Sequence, residues 1–141
     1  MLLDKDTIEI IKTAKTIAVV GCSPKAYRDS NAVAHYLMEQ GYTVVPVNPK
    51  HDVILDVRAY PDLISARESE GPIDIVDIFR ASDHVMPHVE EAIEIGTRLI
   101  WMQLGVLNED AALRARQAGI TVVMDQCLRT QHKELRRQRL L

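Results

Sequence analysis

Hydrophobic residues along this chain fall into short β-branched runs, separated by segments whose apolar positions recur at helical spacing. Thr16–Val20 (T-I-A-V-V) is the first such run and stops at Gly21, the signature of a strand that ends in a turn. Residues 22–30 are polar, contain Pro24 and are predicted as a loop. Residues 31–40 place Val33, Tyr36 and Leu37 on one helical side, and Gly41 follows where helices commonly end. Thr43–Val47 is the second run, stopped by Asn48-Pro49. Strand, helix and strand together span about 30 residues, the size of a right-handed parallel crossover.

The alternation continues. Residues 61–68 are predicted as a short helix, 73–79 (I-D-I-V-D-I-F) as a strand, 87–95 as a helix ended by Gly96, and Leu99–Met102 as a fourth strand. Residues 109–118 read as an Ala-rich helix closed by Gly119, 121–124 as a fifth strand, and a last helix begins near Arg129 and runs to the end. Strands alternating with helices imply a parallel sheet covered on both faces. No linker, repeat or low-complexity stretch interrupts the pattern. Residues 1–141 are therefore expected to form a single α/β domain of the doubly wound type, with a mainly parallel five-stranded sheet.

Composition narrows the function classes. Hydrophobic residues make up 47% and charged residues 26% of the chain, which excludes a disordered polymer too poor in apolar surface to fold. No apolar run approaches the roughly 20 residues of a membrane-spanning helix. The N-terminal M-L-L-D-K-D lacks an apolar secretion core, so a cytoplasmic protein is expected. Seventeen basic against 20 acidic residues give a net charge of −3, whereas nucleic-acid binders carry a basic excess. Cys22 and Cys127 form no C-x-x-C pair, so two free thiols are expected rather than a disulfide or zinc site.

Open parallel sheets bind ligands at the carboxyl ends of their strands, where the strand order reverses. The first such end is the loop G-C-S-P-K-A-Y-R-D-S. Gly21 permits a tight turn, and the helix start beyond it aims free N–H groups back at the loop, an arrangement that favours anions. Lys25 and Arg28 add cations, and Ser23 and Ser30 add hydroxyls. The combination suits phosphate oxygens; the plainer reading is a solvated loop with a Ser or Asn helix cap. Neither G-x-G-x-x-G nor the Walker sequence is present, which argues against an ATPase.

The second strand ends in P-V-N-P-K. It lacks the carboxylate that binds the ribose hydroxyl in NAD sites. Asn48 suits a hydroxyl or a base edge, and Lys50 suits a further phosphate on the ribose. A phosphorylated ribose narrows the ligand to coenzyme A or NADP. Arg80, after the third strand, is placed to reach a diphosphate, and Phe79 is either a wall of the site or core. Trp101 reads as core. His84 and His88 have a metal-compatible spacing without an evident third ligand. Cys127 is a nucleophile if His132 or a helix start lowers its pKa, and otherwise an inert buried thiol. No catalytic motif is present.

Five segments, taken in order, carry a resemblance: I-A-V-V-G-C-S-P-K-A-Y-R-D-S, Y-L-M-E-Q-G-Y-T-V-V-P-V-N-P, D-I-V-D-I-F-R, I-W-M-Q-L-G-V and G-I-T-V-V-M-D-Q-C. The chain resembles the small stand-alone CoA-binding proteins. It is similar to the CoA-binding domains of the succinyl-CoA synthetase alpha subunit and of ADP-forming acyl-CoA synthetases. The resemblance implies a Rossmann-like fold, with Gly21, Ser23, Lys25, Arg28 and Ser30 around the CoA phosphates. It further implies Val47, Asn48 and Pro49 beside the adenosine, with Phe79 and Arg80 on the opposite wall. Two positions depart from the family pattern. Gln126 stands where an arginine is frequent, and Asp56 stands where a glycine is frequent in a turn.

The phosphohistidine and ATP-grasp parts of the synthetases have no counterpart in this sequence, so the resemblance implies binding without ligation. Non-catalytic binding of coenzyme A or an acyl-CoA is the expected function. An NADP-binding oxidoreductase or redox sensor, and a docking subunit of an acyl-CoA enzyme, are the alternatives. Neither nucleic acid nor membrane is expected as a partner; a second copy of the chain or an acyl-CoA enzyme fits that role.

Overall fold

The computed structural model describes residues 3–141. In chain order the elements are α1 (Lys5–Thr13), β1 (Thr16–Val20), α2 (Asp29–Glu39), β2 (Thr43–Val47), β3 (Val53–Ile54), β4 (Val57–Arg58) and α3 (Leu63–Glu70). They continue with β5 (Ile75–Ile78), a 3-10 turn (Ser82–His84), α4 (Met86–Glu94), β6 (Leu99–Met102), α5 (Glu109–Gln117), β7 (Thr121–Val123) and α6 (Leu128–Arg137).

Five strands form one all-parallel sheet in the order β2-β1-β5-β6-β7. The alternating directions of their side chains divide the apolar core in two. Ala18, Val20, Val76, Ile78, Ile100 and Met102 point to one face, which α3, α4 and α5 cover through Leu63, Ala66, Val89, Ala92, Ala111 and Ala115. Ile17, Val19, Ile75, Leu99 and Trp101 point to the other, covered by α1, α2 and α6 through Ile11, Val33, Leu37, Leu128 and Leu135. Every residue of β5 and β6 is buried, as expected of central strands in a sheet covered on both sides. Each fully buried branched side chain there contributes about 1.5–3 kcal/mol to this sandwich.

The predicted β1, β2 and β6 coincide with the observed strands. The third strand is shorter than residues 73–79 at both ends, and α2 starts at Asp29, two residues before the predicted start. The last helix stops at Arg137 rather than at the chain's end. Besides the 3-10 turn at Ser82–His84, two features were not foreseen. The first is α1, whose N-cap Asp4 accepts a hydrogen bond from the Thr7 N–H at 2.8 Å. The second is the antiparallel hairpin β3–β4.

That hairpin leads the chain back along the exposed side of β2. The Tyr60 N–H donates to the Pro46 carbonyl at 3.0 Å, and the Asn48 N–H donates to the Tyr60 carbonyl at 2.8 Å. Pro46 has no N–H to give, so it is tolerated in β2 because this is an edge strand, and the returning segment shields that edge from further pairing.

Candidate functional site

Strand order reverses between β1 and β5: the chain leaves β1 for β2 on one side and returns across it to β5 on the other. The carboxyl ends of these two strands flank a crevice, the position at which open α/β sheets bind ligands. A cleft of about 490 Å³ opens there, lined by Gly21, Ser23, Pro24, Lys25, Arg28, Asp29, Ser30, Asn48, His51 and Phe79. Its volume falls within the range of small-molecule sites.

The loop between β1 and α2 is held by its own polar groups. Gly21 has φ +79, and a Cβ placed on it would lie 2.2 Å from the Phe79 carbonyl oxygen. The Gly21 N–H donates to the Val47 carbonyl at 2.9 Å, which anchors the turn to β2. The Ser23 N–H donates to the Ser30 hydroxyl at 2.9 Å, and the Asn31 side-chain amide donates to the Ser23 carbonyl at 2.9 Å. Asn48 donates its amide to the Cys22 carbonyl at 2.9 Å and accepts the Lys50 N–H at 2.9 Å. Ser30 and Asn48, expected as ligand contacts, thus spend polar groups on fixing the loop.

Two kinds of donor remain open. Arg28 occupies the N-cap position of α2 and supplies no side-chain cap. The first-turn N–H groups of α2 therefore lack the capping oxygen that a Ser or Asn helix cap would have provided. The side chains of Lys25 and Arg28 are exposed, and neither forms an ion pair among the described residues. They flank the Tyr27 ring at 6.0 and 5.7 Å, and Tyr27 itself is 76% exposed. Unpaired cations beside an uncapped helix start make an anion-attracting surface. Asp29, also on the cleft, lies in the first turn of α2.

The remaining expected residues are placed differently. Phe79 is half-buried and lines the cleft, so its role as a wall is geometrically available. Arg80 is exposed beyond it, with its Cδ 3.3 Å from where a Gly21 Cβ would sit. Val47 is buried, and Pro49 and Lys50 are exposed; none of the three lines the cleft. Pro24, Asp29 and His51 line it without having been singled out. His51 carries no local signal in the sequence, because the turn after β2 alone brings it round. Trp101 is fully buried, and its indole N–H donates to the Gln126 carbonyl at 2.8 Å.

Comparison with known proteins assigns the family. Residues 15–133 match the model of the CoA binding domain. The chain belongs to this CoA binding domain family. It is 40% identical over 124 residues to the uncharacterized protein YneT of Bacillus subtilis (strain 168), which covers 88% of this chain and 90% of that protein. A hypothetical protein from Pyrococcus horikoshii OT3 superposes with a TM-score of 0.88 at 39% identity, over 95% of this chain and 92% of that one. A dinucleotide-forming acetyl-coenzyme A synthetase of Ca. Korarchaeum cryptofilum, in complex with phosphate and ADP, superposes with a TM-score of 0.72 at 20% identity. That match covers 85% of this chain and 28% of the synthetase, and it bears on the fold alone.

Within the CoA binding domain family, the departure at Asp56 has a structural reading. Leu55 and Asp56 form the two-residue turn of the β3–β4 hairpin, with φ 53 and φ 61. Both are left-handed, the conformation glycine adopts most readily. At the other departure, the Gln126 carbonyl serves as the acceptor for Trp101 and its side-chain oxygen accepts from the Gln131 amide at 3.2 Å.

Proposed function

We propose that this protein binds coenzyme A or an acyl-CoA in the cleft at the β1–β5 switch point, without catalysing a reaction on it. The observation that carries the reading is the uncapped start of α2 lining one cleft with Lys25 and Arg28, which form no ion pair among the described residues, and with a glycine that leaves no room for a side chain. In this reading the loop amides and both cations hold the pyrophosphate, and Ser23 lies beside them. The end of β2, through Val47, Asn48 and Pro49, borders the adenosine; Phe79 and Arg80 form the opposite wall. Lys50 lies near the 3′-phosphate. Membership of the CoA binding domain family supports the choice of ligand, and so does the absence of a carboxylate at the end of β2. The protein works in the cytoplasm with both cysteines reduced.

Calorimetric titration with CoA, dephospho-CoA, NADH and NADPH tests the reading. CoA is expected to bind, dephospho-CoA more weakly, and the two nicotinamide cofactors not at all. Clear NADPH binding with no heat from CoA overturns it.

A further inference from the structure

The turn that follows β2 reaches the cleft, and residues 48–52 are braced at both ends. At the first end the Asn48 N–H donates to the Tyr60 carbonyl at 2.8 Å, and the Asn48 side-chain amide donates to the Cys22 carbonyl at 2.9 Å. At the other end the Ala59 N–H donates to the Asp52 carbonyl at 2.8 Å. Between them the Asn48 side-chain oxygen accepts the Lys50 N–H at 2.9 Å, a local bond that tightens the chain into a turn. Asn48 thus ties this turn to the loop that follows β1.

The braced turn separates two neighbours. Lys50 is exposed and lies off the cleft, whereas His51 lines it together with Lys25, Arg28, Asp29 and Phe79. His51 enters from the β2 side, while Lys25 and Arg28 belong to the β1–α2 loop. The His51 side chain forms no ion pair or hydrogen bond among the described residues, so its ring nitrogens remain free for a ligand. The charged groups around it are Lys25, Arg28 and Asp29 from the loop and first turn of α2, Lys50 and Asp52 beside it in the turn, and Arg80 beyond Phe79.

Position and chemistry together narrow the role of this imidazole. In the CoA reading the pyrophosphate lies at Lys25 and Arg28 and the adenosine borders the end of β2, so a group supplied from just beyond β2 meets the ribose. A protonated imidazole donates from both of its nitrogens, and such charge-assisted donors suit phosphate oxygens. Coenzyme A carries a phosphomonoester on the ribose 3′-oxygen, a group that loses its second proton near about pH 6. Dephospho-CoA has only a hydroxyl there.

We propose that His51 is the residue by which this site distinguishes CoA from dephospho-CoA, its imidazole contacting the ribose 3′-phosphate. The inference rests on the proposed CoA reading of the cleft. Lys50, off the cleft, adds positive potential without a direct contact. Histidines shed their positive charge between about pH 5 and pH 8, a range over which lysine and arginine stay charged. The preference for CoA over dephospho-CoA therefore declines as pH rises through neutrality, even though the phosphomonoester itself becomes more negative. A lysine in the same contact would give the opposite slope.

The test titrates the full chain calorimetrically with CoA and with dephospho-CoA, at pH 6.5 and at pH 8.5. The parent is compared with His51→Ala, His51→Gln and Lys50→Ala, each shown by circular dichroism to be folded. At pH 6.5, His51→Ala is expected to cut the ratio of CoA to dephospho-CoA affinity about tenfold, with dephospho-CoA binding within about twofold of the parent's. The parent's ratio is expected to fall severalfold by pH 8.5, and that of His51→Gln to hold or rise. Lys50→Ala is expected to keep the falling pH dependence. A ratio unchanged by His51→Ala, an equal loss of affinity for both ligands, or a falling pH dependence that survives in His51→Gln overturns the proposal. In those outcomes the parent still binds CoA and Arg28→Ala still weakens it, so the CoA reading stands without His51. A parent that binds neither ligand overturns both.

Discussion

Gly21 and Phe79 meet backbone to backbone: a Cβ on Gly21 would stand 2.2 Å from the Phe79 carbonyl oxygen and 3.1 Å from its carbonyl carbon. The end of β1 therefore abuts the end of β5, and this contact shapes the floor of the cleft. Backbone cannot swing aside as a flexible side chain would. Gly21 also has φ +79, where any L side chain is strained. Gly21→Ala is expected to lose about 2–4 kcal/mol of stability, measured by urea unfolding. Any folded remainder should bind CoA more weakly. A variant as stable as the parent would show that the two loops separate without cost.

Lys25 and Arg28 have no anionic partner among the described residues, so removing either side chain breaks no ion pair described there. Lys25→Ala and Arg28→Ala are each expected to weaken CoA binding by about 1–3 kcal/mol, the scale of a charge-assisted hydrogen bond. Both variants should unfold at the parent's denaturant midpoint. Unchanged affinity in both, with folding intact, would remove the phosphates from this loop.

The turn at Leu55-Asp56 makes a prediction of the opposite sign. A left-handed L residue costs about 1–2 kcal/mol, while glycine's extra freedom in the unfolded chain costs roughly 0.5–1 kcal/mol. Asp56→Gly should therefore stabilise the protein by about 0.5–1 kcal/mol, seen as a higher urea midpoint with an unchanged slope. A lower midpoint would mean that Asp56 contributes something its backbone conformation does not reveal.

The same turn shows where reading the chain as a sequence succeeded and where it stopped. The strands β1, β2 and β6 were legible because parallel strands covered on both faces read as continuous apolar runs, and these end at Gly21, Asn48-Pro49 and Gln103. The hairpin was missed because each of its strands has only two residues, too few for any alternation to register. Helix α1 had a readable N-cap in Asp4, but nine residues that include three isoleucines and two threonines have modest helix propensity. Lys25, Arg28 and Phe79 were located by the rule that ligands sit at strand ends. That Ser30 and Asn48 are tied to the backbone, or that Asp77 is fully buried with neither oxygen partnered among the described residues, depends on contacts between distant segments that no local pattern encodes.

His132 provides a pH test of the packing between α2 and α6. It is 4% exposed, its Nδ1 lies 2.7 Å from the Tyr36 hydroxyl, and its ring meets those of Tyr36 and Tyr42 edge-on at 5.4 and 5.6 Å. Burial, with Arg136 adding to it, holds its pKa down from 6.5 to about 4. Above pH 6.5 the ring is neutral whether the chain is folded or not, and the packing contributes its full stability. As pH falls below 6.5 the unfolded chain takes up a proton that the folded protein refuses until about pH 4. The unfolded state is favoured throughout that window. Between pH 7 and pH 5 this group alone should remove about 2 kcal/mol of unfolding free energy. Asp77 acts in the opposite sense, because burial raises its pKa and makes the folded state the better proton acceptor, so the total slope mixes the two. His132→Gln isolates the histidine: urea unfolding at both pH values should show the parent losing about 2 kcal/mol more than the variant. Equal losses would mean that His132 is protonated inside the folded protein, with Tyr36 accepting rather than donating at Nδ1.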